Sequence, residues 1–217
     1  MRNKEKDAAK IAQRKQRAME YGFRLFSERG IESVTMPEIA DASGVGRPSL
    51  YRYFSSKVDL VIAIGTLKWK DYINQRDTSL PFEDQEHMTA AEYLKWYLDS
   101  FIDLYLNHSD ILRFNYYFNS FLQHEAATPE QQLPYVNIIE GLSTSFHKLY
   151  QRGLIDKTIR TDISEEIMFS STFHIMLVAV TRYAVGLVYP GIDPYSELLL
   201  LENALLLEFS RRPAHAE

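Results

Sequence analysis

Cysteine is absent from the 217 residues. That excludes a disulfide framework, a thiolate zinc site and a thiol nucleophile. A reducing compartment fits this absence. Long apolar runs are also missing. The greasiest stretch, Phe173 to Val188, is interrupted by His174 and Arg182 and falls short of the roughly 20 residues that cross a bilayer. The first ten residues, MRNKEKDAAK, lack the apolar core of a secretory signal. No membrane partner is expected, and the cytoplasm is the expected location.

Catalytic signatures are equally scarce. The six histidines are scattered, and His124-Glu125 has no second histidine one turn on. No glycine-rich phosphate loop or nucleophile elbow occurs. The expectation is therefore a protein that is not an enzyme, with no metal site and no cofactor. An enzyme would need a convergent acid/base or metal site that these residues do not offer.

What the chain does have is an uneven charge. The net value is −5. Residues 1–60 nevertheless hold 12 Lys and Arg against 8 Asp and Glu, and the remainder holds 12 against 21. A basic head on an acidic body is what contact with phosphate at one end would require.

Helical periodicity dominates, and no period-2 run bounded by turn residues stands out. Ala18, Met19, Gly22, Leu25 and Phe26 mark one face of a first helix over about 8–29, which Gly30 stops. Thr35 and Glu38 have the spacing of a capping box. Ser43-Gly44 ends that second helix after about two turns, Gly44 supplying the positive φ of a tight turn. A third helix spans Arg47 to Tyr53, with Gly46 as N-cap and Pro48 in the first turn. Ser56 and Asp59 cap a fourth. The segment Asn74–Met88 reads as a loop. Longer helices follow at about 89–107, 110–125, 130–153, 164–188 and 195–211.

Ile39, Ala40, Val45, Leu50 and Phe54 are the packing positions of the two short helices. The outward positions of the third are Arg47, Ser49, Tyr51, Arg52 and Tyr53, all hydrogen-bonding or phosphate-binding types on a helix that fits a major groove.

Residues Ala18 to Leu60 resemble the DNA-binding domain of the TetR family. The likeness rests on Leu25, Phe26 and Gly30 closing the first helix, Thr35, Ile39 and Ala40 opening the second, Ser43-Gly44-Val45 at the turn, and Leu50, Tyr51, Tyr53, Phe54, Ser56 and Lys57 beyond it. It covers about a fifth of the chain. Two positions depart from the pattern: Gly46 stands where Ser or Thr is usual, and Ala18 where a larger aliphatic is. The resemblance implies that Thr35 bonds a phosphate and that Arg47, Ser49 and Tyr51 face the groove. Tyr53 and Lys57 would touch the DNA backbone, and Gly46 could do so only through its N–H. The Arg47 fork suits guanine O6 and N7.

The expected fold is all-α: an N-terminal three-helix helix-turn-helix domain, residues 1–56 with a basic extension over 1–17, and a C-terminal helical bundle, residues 57–217, that binds ligand and dimerises. The basic extension is either an arm reaching the minor groove or a solvated start of the first helix.

The last two helices are apolar on most sides and need burial on most sides. Ile175, Val178, Ala179, Leu198, Leu201 and Leu205 are the candidate dimer contacts. Aromatics crowd the middle helices. Tyr97, Phe101 and Tyr105 share one face, and Phe114, Phe118 and Phe121 another. With Phe173 they are candidates to line an apolar pocket, in which Asn115, His147, His174 and Arg182 would orient a ligand. The expected partners are double-stranded DNA bearing a near-palindromic operator, a small apolar or aromatic effector, and a second copy of the chain. The expected function is a ligand-responsive repressor; the alternative is a DNA-binding protein whose body recruits a protein partner.

Overall fold

The computed structural model describes residues 2–79, 87–125, 127–187 and 189–210, with side chains from residue 6 onward. Among the described residues the chain is helical, with one isolated antiparallel bridge between Ile159 and Ser210. In chain order the helices are α1 (Arg2–Arg29), α2 (Met36–Ser43), α3 (Arg47–Tyr53), α4 (Lys57–Ser79), α5 (Ala90–Asn107), α6 (Ser109–His124), α7 (Pro129–Asp156), α8 (Glu165–Ala184) and α9 (Pro194–Phe209).

Two compact units emerge. The first is Met1–Asp71 with Arg113–Ile138, and the second is Tyr72–Leu112 with Ile139–Glu217. This division cuts the chain elsewhere than the change of pattern at 56/57: α4, α6 and α7 each contribute residues to both units.

In the first unit, α1 packs on α2 and α3, and α2 on α3. Ala18, Phe23 and Phe26 from α1, Ile39 and Ala40 from α2, and Leu50 from α3 are buried. Each fully buried large side chain contributes about 1.5–3 kcal/mol. Gly30 (φ 83) closes α1, its N–H bonding Phe26 O at 3.0 Å. The basic extension is helical from Arg2, so α1 starts earlier than the apolar periodicity suggests. The side chains of Arg2 and Lys4 lie outside the described residues.

In the second unit, α5, α8 and α9 pack on one another pairwise. Their core holds Leu94, Leu98, Met168, Met176, Val180, Leu198 and Phe209. α5 opens on a capping box, Thr89 with Glu92.

Three further boundaries differ from those the sequence predicts. α4 runs on to Ser79 where a loop was expected over Asn74–Met88, of which residues 80–86 lie outside the described residues. Polar composition hid the reason: Arg76 is buried, and the Thr78 and Ser79 hydroxyls donate back to the carbonyls of Asn74 and Arg76 at 2.8 and 2.6 Å. α7 passes through Gly153, where a stop was expected, and ends at Asp156 before Lys157 (φ 62). Gly153 is there for closeness: a Cβ would lie 2.3 Å from Ile159 Cγ1. α8 ends at Ala184, just ahead of Gly186 (φ 79).

By length and composition α8 could cross a bilayer, a property the sequence reading did not assign to any segment. Met168, Thr172, Met176 and Val180 are buried against its neighbours, as on a bundle helix.

Candidate nucleic-acid interface

The reading unit is built from local chemistry. Thr35 N donates to Glu38 Oε2 at 2.8 Å, and Glu38 N donates to Thr35 Oγ1 at 3.4 Å. Two N–H groups that α2 leaves unpaired are thereby satisfied. Thr35 Oγ1 gives its proton to the same carboxylate at 2.8 Å, and Arg29 Nη2 reaches Glu38 Oε1 at 2.9 Å. These bonds, the Thr35 N–H foremost, hold the Glu38 carboxyl at about 2, against an ordinary value of 4.5. Gly44 (φ 64, ψ 23) caps the other end, its N–H pointing at the Ala40 and Asp41 carbonyls. Val45 N then bonds Ala40 O at 3.1 Å, which turns the chain into α3.

α3 buries Leu50 and leaves Arg47, Tyr51 and Arg52 exposed; Ser49 and Tyr53 are half-buried. Arg47 and Tyr51 lie one turn apart and share a face. Gly46 has no side-chain cap bond, and its carbonyl accepts from Ser49 N and Leu50 N at 2.8 and 3.0 Å. A Cβ at Gly46 would meet nothing within 4 Å, so the glycine is not sterically required.

Several of the proposed contacts are engaged within the chain. Arg47 Nη2 pairs with Asp41 Oδ2 at 2.7 Å. Thr35 would have to give up its bond to Glu38 in order to donate to a phosphate. Lys57 is turned inward: its ammonium lies 5.4 Å from the Phe121 ring centre and 3.4 Å from Glu32 O, and burial lowers its pKa. A DNA-backbone contact by Lys57 needs the side chain to swing out. Tyr53 sits between Lys15 and Arg52, whose cationic groups lie 5.8 and 5.6 Å from its ring centre. Lys15 and Arg17 belong to the basic extension, Arg2, Lys4, Lys6, Lys10, Arg14, Lys15 and Arg17, that the sequence offers as a minor-groove arm or a solvated start of the first helix. Arg17 lies against the turn, 3.3 Å from where a Gly44 Cβ would be. Their signal was diluted because basic residues recur all along the first part of α1.

The ligand candidates fall into both units. In the first, Phe114 packs on Phe23 and Phe118 with ring centres at 5.5 and 5.7 Å, and Phe121 lies under Lys57. Asn115 Oδ1 accepts from Trp69 Nε1 and the Tyr135 hydroxyl at 3.3 and 3.0 Å, so it serves the core. In the second, Tyr97, Phe101 and Phe173 join Phe146 and Phe169 in a chain of ring contacts, and Tyr105 faces Tyr183 at 6.0 Å. These rings fill space with one another. His147, His174 and Arg182 are exposed, and His147 Nδ1 lies 3.0 Å from Glu165. The three therefore do not supply polar groups to an enclosed interior.

A cavity of about 220 Å³ does lie in the second unit, between α4 and α5, and none of the candidates lines it. Tyr72, Arg76, Trp96 and Asp99 do. Arg76 is buried, bonded to Asp77 at 2.7 Å and flanked by the Trp96 and Tyr97 rings. A buried guanidinium among aromatics would have been the sequence signal, but Arg76 sits in a stretch that reads as loop.

Of the dimer candidates, Ile175 and Val178 are exposed, and Ala179 and Leu201 half-buried. Leu198 and Leu205 are corrected: both are buried within the chain's own core. The leucines that α9 exposes most are Leu200 and Leu207, 67% and 73% exposed. On α8, Ile167 joins Ile175 and Val178.

Residues 19–64 match the family described as bacterial regulatory proteins, tetR family. An HTH-type transcriptional regulator of Staphylococcus aureus (strain MRSA252) is 30% identical over 105 residues, 46% of this chain and 51% of that protein. The chain thus spans about half the length of that relative. The HTH-type transcriptional repressor KstR2 of Mycolicibacterium smegmatis is 22% identical over 181 residues, 81% of this chain and 82% of its own. The transcriptional regulator FadR from Bacillus subtilis, solved in complex with stearoyl-CoA, superimposes with a TM-score of 0.69 at 17% identity, over 89% of this chain and 98% of that one. The matched segment runs from α1 through α3 into α4, with the capping box and the Gly44 turn inside it, and over residues 19–64 the chain is similar to the tetR family of bacterial regulatory proteins.

Proposed function

We propose that the chain is a sequence-specific DNA-binding transcriptional regulator, a repressor acting as a homodimer on a near-palindromic operator and released by a small, largely apolar effector. Residues 1–56 are the reading head, and residues 57–217 are the body that senses and dimerises. The observation that carries the DNA reading is α3: buried at Leu50, exposed at Arg47, Tyr51 and Arg52, and set on α2 by the Gly44 turn. Thr35, Gly46, Ser49, Tyr53 and Lys57 complete the contact set. Base contacts specify the site, and phosphate contacts place the head on it. Function on DNA puts the protein in the cytoplasm.

Dimerisation is supported by the outward apolar residues of α8 and α9, which water would otherwise cover at a cost. Repression is supported by the relative named as a repressor, and an apolar effector by the stearoyl-CoA held in the FadR structure. Linkage then requires operator and effector to weaken each other's binding by the same factor.

Selection of bound DNA from a random pool, followed by fluorescence anisotropy, tests the reading. A palindromic site should emerge. Arg47→Ala should weaken it by between about fivefold and a hundredfold and relax preference at one base pair. An Arg47→Ala protein with unchanged affinity and unchanged preference would overturn the assignment of α3.

A further inference from the structure

The first unit carries an unassigned groove of about 420 Å³ between α1, the first half of α4 and the start of α7. Met19, Ile62, Ala63, Leu67 and Pro134 make it largely apolar. That volume is in the range of small-molecule sites.

Its two ends differ in charge and in satisfaction. At one end Asp59 accepts from Gln131 Nε2 at 3.1 Å and from Ser56 N at 3.1 Å, and it also accepts the Ser55 hydroxyl, so that carboxylate is occupied. At the other end Lys70 is exposed and has no ion pair among the described residues. One turn before it, the Thr66 hydroxyl is buried without a hydrogen-bond partner among the described residues. A helical threonine ordinarily returns its proton to the preceding turn; here the hydroxyl is left over, on the face of α4 that lines the groove. From Asp59 to Lys70 the helix advances roughly 16 Å.

We propose that this groove binds an amphiphilic monoanion: an apolar acyl body along Ile62, Ala63 and Leu67, and a carboxylate held by Lys70 and the Thr66 hydroxyl. The charge of Lys70 selects the sign of the head, and the orphaned hydroxyl supplies a directed bond to it. The site belongs to the unit that contains α2 and α3, and Met19 ties it to α1, which packs on both. Close packing continues beside it: a Cβ at Gly22 of α1 would lie 3.0 Å from Ile64 Cδ1 of α4. An occupant therefore bears on the core of the reading head itself. This site assignment rests on the effector-responsive reading above.

Calorimetric titration of the full chain with decanoate, decan-1-ol and decyltrimethylammonium tests it without DNA. Decanoate should bind saturably and at least about tenfold more tightly than either of the others. Lys70→Ala should lose about tenfold, and Lys70→Glu should turn the preference toward the cation. Ala63→Trp should abolish binding, with circular dichroism and melting confirming that each variant folds. Equal affinity for all three probes, or decanoate binding that neither Lys70 variant changes, overturns the site. Anisotropy on the selected DNA separates the two failures. Operator binding with no decanoate binding sinks the groove alone, while failure to select any DNA sinks the regulatory reading beneath it.

Discussion

At the scale of single residues, the most consequential bond is the one between Thr35 and Glu38, because it fixes where α2 begins. Replacing Thr35 by Ala leaves the Glu38 N–H without its side-chain acceptor and should cost about 1 kcal/mol of stability. Glu38 adds a pH dependence. Its folded value, about 2, lies below the ordinary 4.5, so its contribution is complete above about 4.5 and is lost as pH falls toward 2. The melting-temperature gap between the natural chain and Glu38→Gln should be constant above about pH 5 and close below it. A gap that widens on acidification would mean that the carboxylate is not held by these bonds.

Whole elements show what a sequence can and cannot disclose. α2, the turn and α3 were legible because their signals are local: a Thr-to-Glu spacing, a glycine at a positive φ, a proline in the first turn. At Gly153 the sequence is ambiguous, because a glycine that ends a helix and a glycine that admits a neighbour look alike in it. The two readings separate on mutation. Gly153→Ala drives a Cβ into Ile159, which is itself buried, and should destabilise by about 1–3 kcal/mol. Combining it with Ile159→Ala should cost less than the two single changes added, as melts of the four proteins would show. Simple additivity would mean that the contact is not what sets the glycine. The aromatic helices fail for a related reason. Periodicity reports that Phe114 and Tyr97 are buried, not against what, and their neighbours within the chain are other rings.

For the molecule as a whole, the hard choice was which side of an apolar helix faces inward. α9 carries leucine almost all round, so its moment is weak and Leu198 and Leu205 could not be told from Leu200 and Leu207. With the first pair spent on the chain's own core, the proposed self-association would fall to the second pair and to Val178. A Val178→Asp, Leu200→Asp double variant should sediment as a monomer with unchanged helicity, and its operator affinity should fall because two half-sites no longer bind as one. A dimer that survives both charges would move the interface elsewhere.

The Arg47–Asp41 pair gives the reading helix an internal rival. In the free chain the guanidinium already has a carboxylate to hold, so it does not wait as a bare charge for any phosphate that drifts past. If Arg47 reads a base as proposed, that base pair must offer acceptors good enough to displace Asp41. Guanine, with two acceptors side by side, meets that standard better than adenine or the pyrimidines. On the proposed reading, the exposed Arg47–Asp41 pair subtracts the same small cost from every sequence that draws Arg47 away, so the acceptors themselves set the preference and the selected pool should favour guanine opposite Arg47.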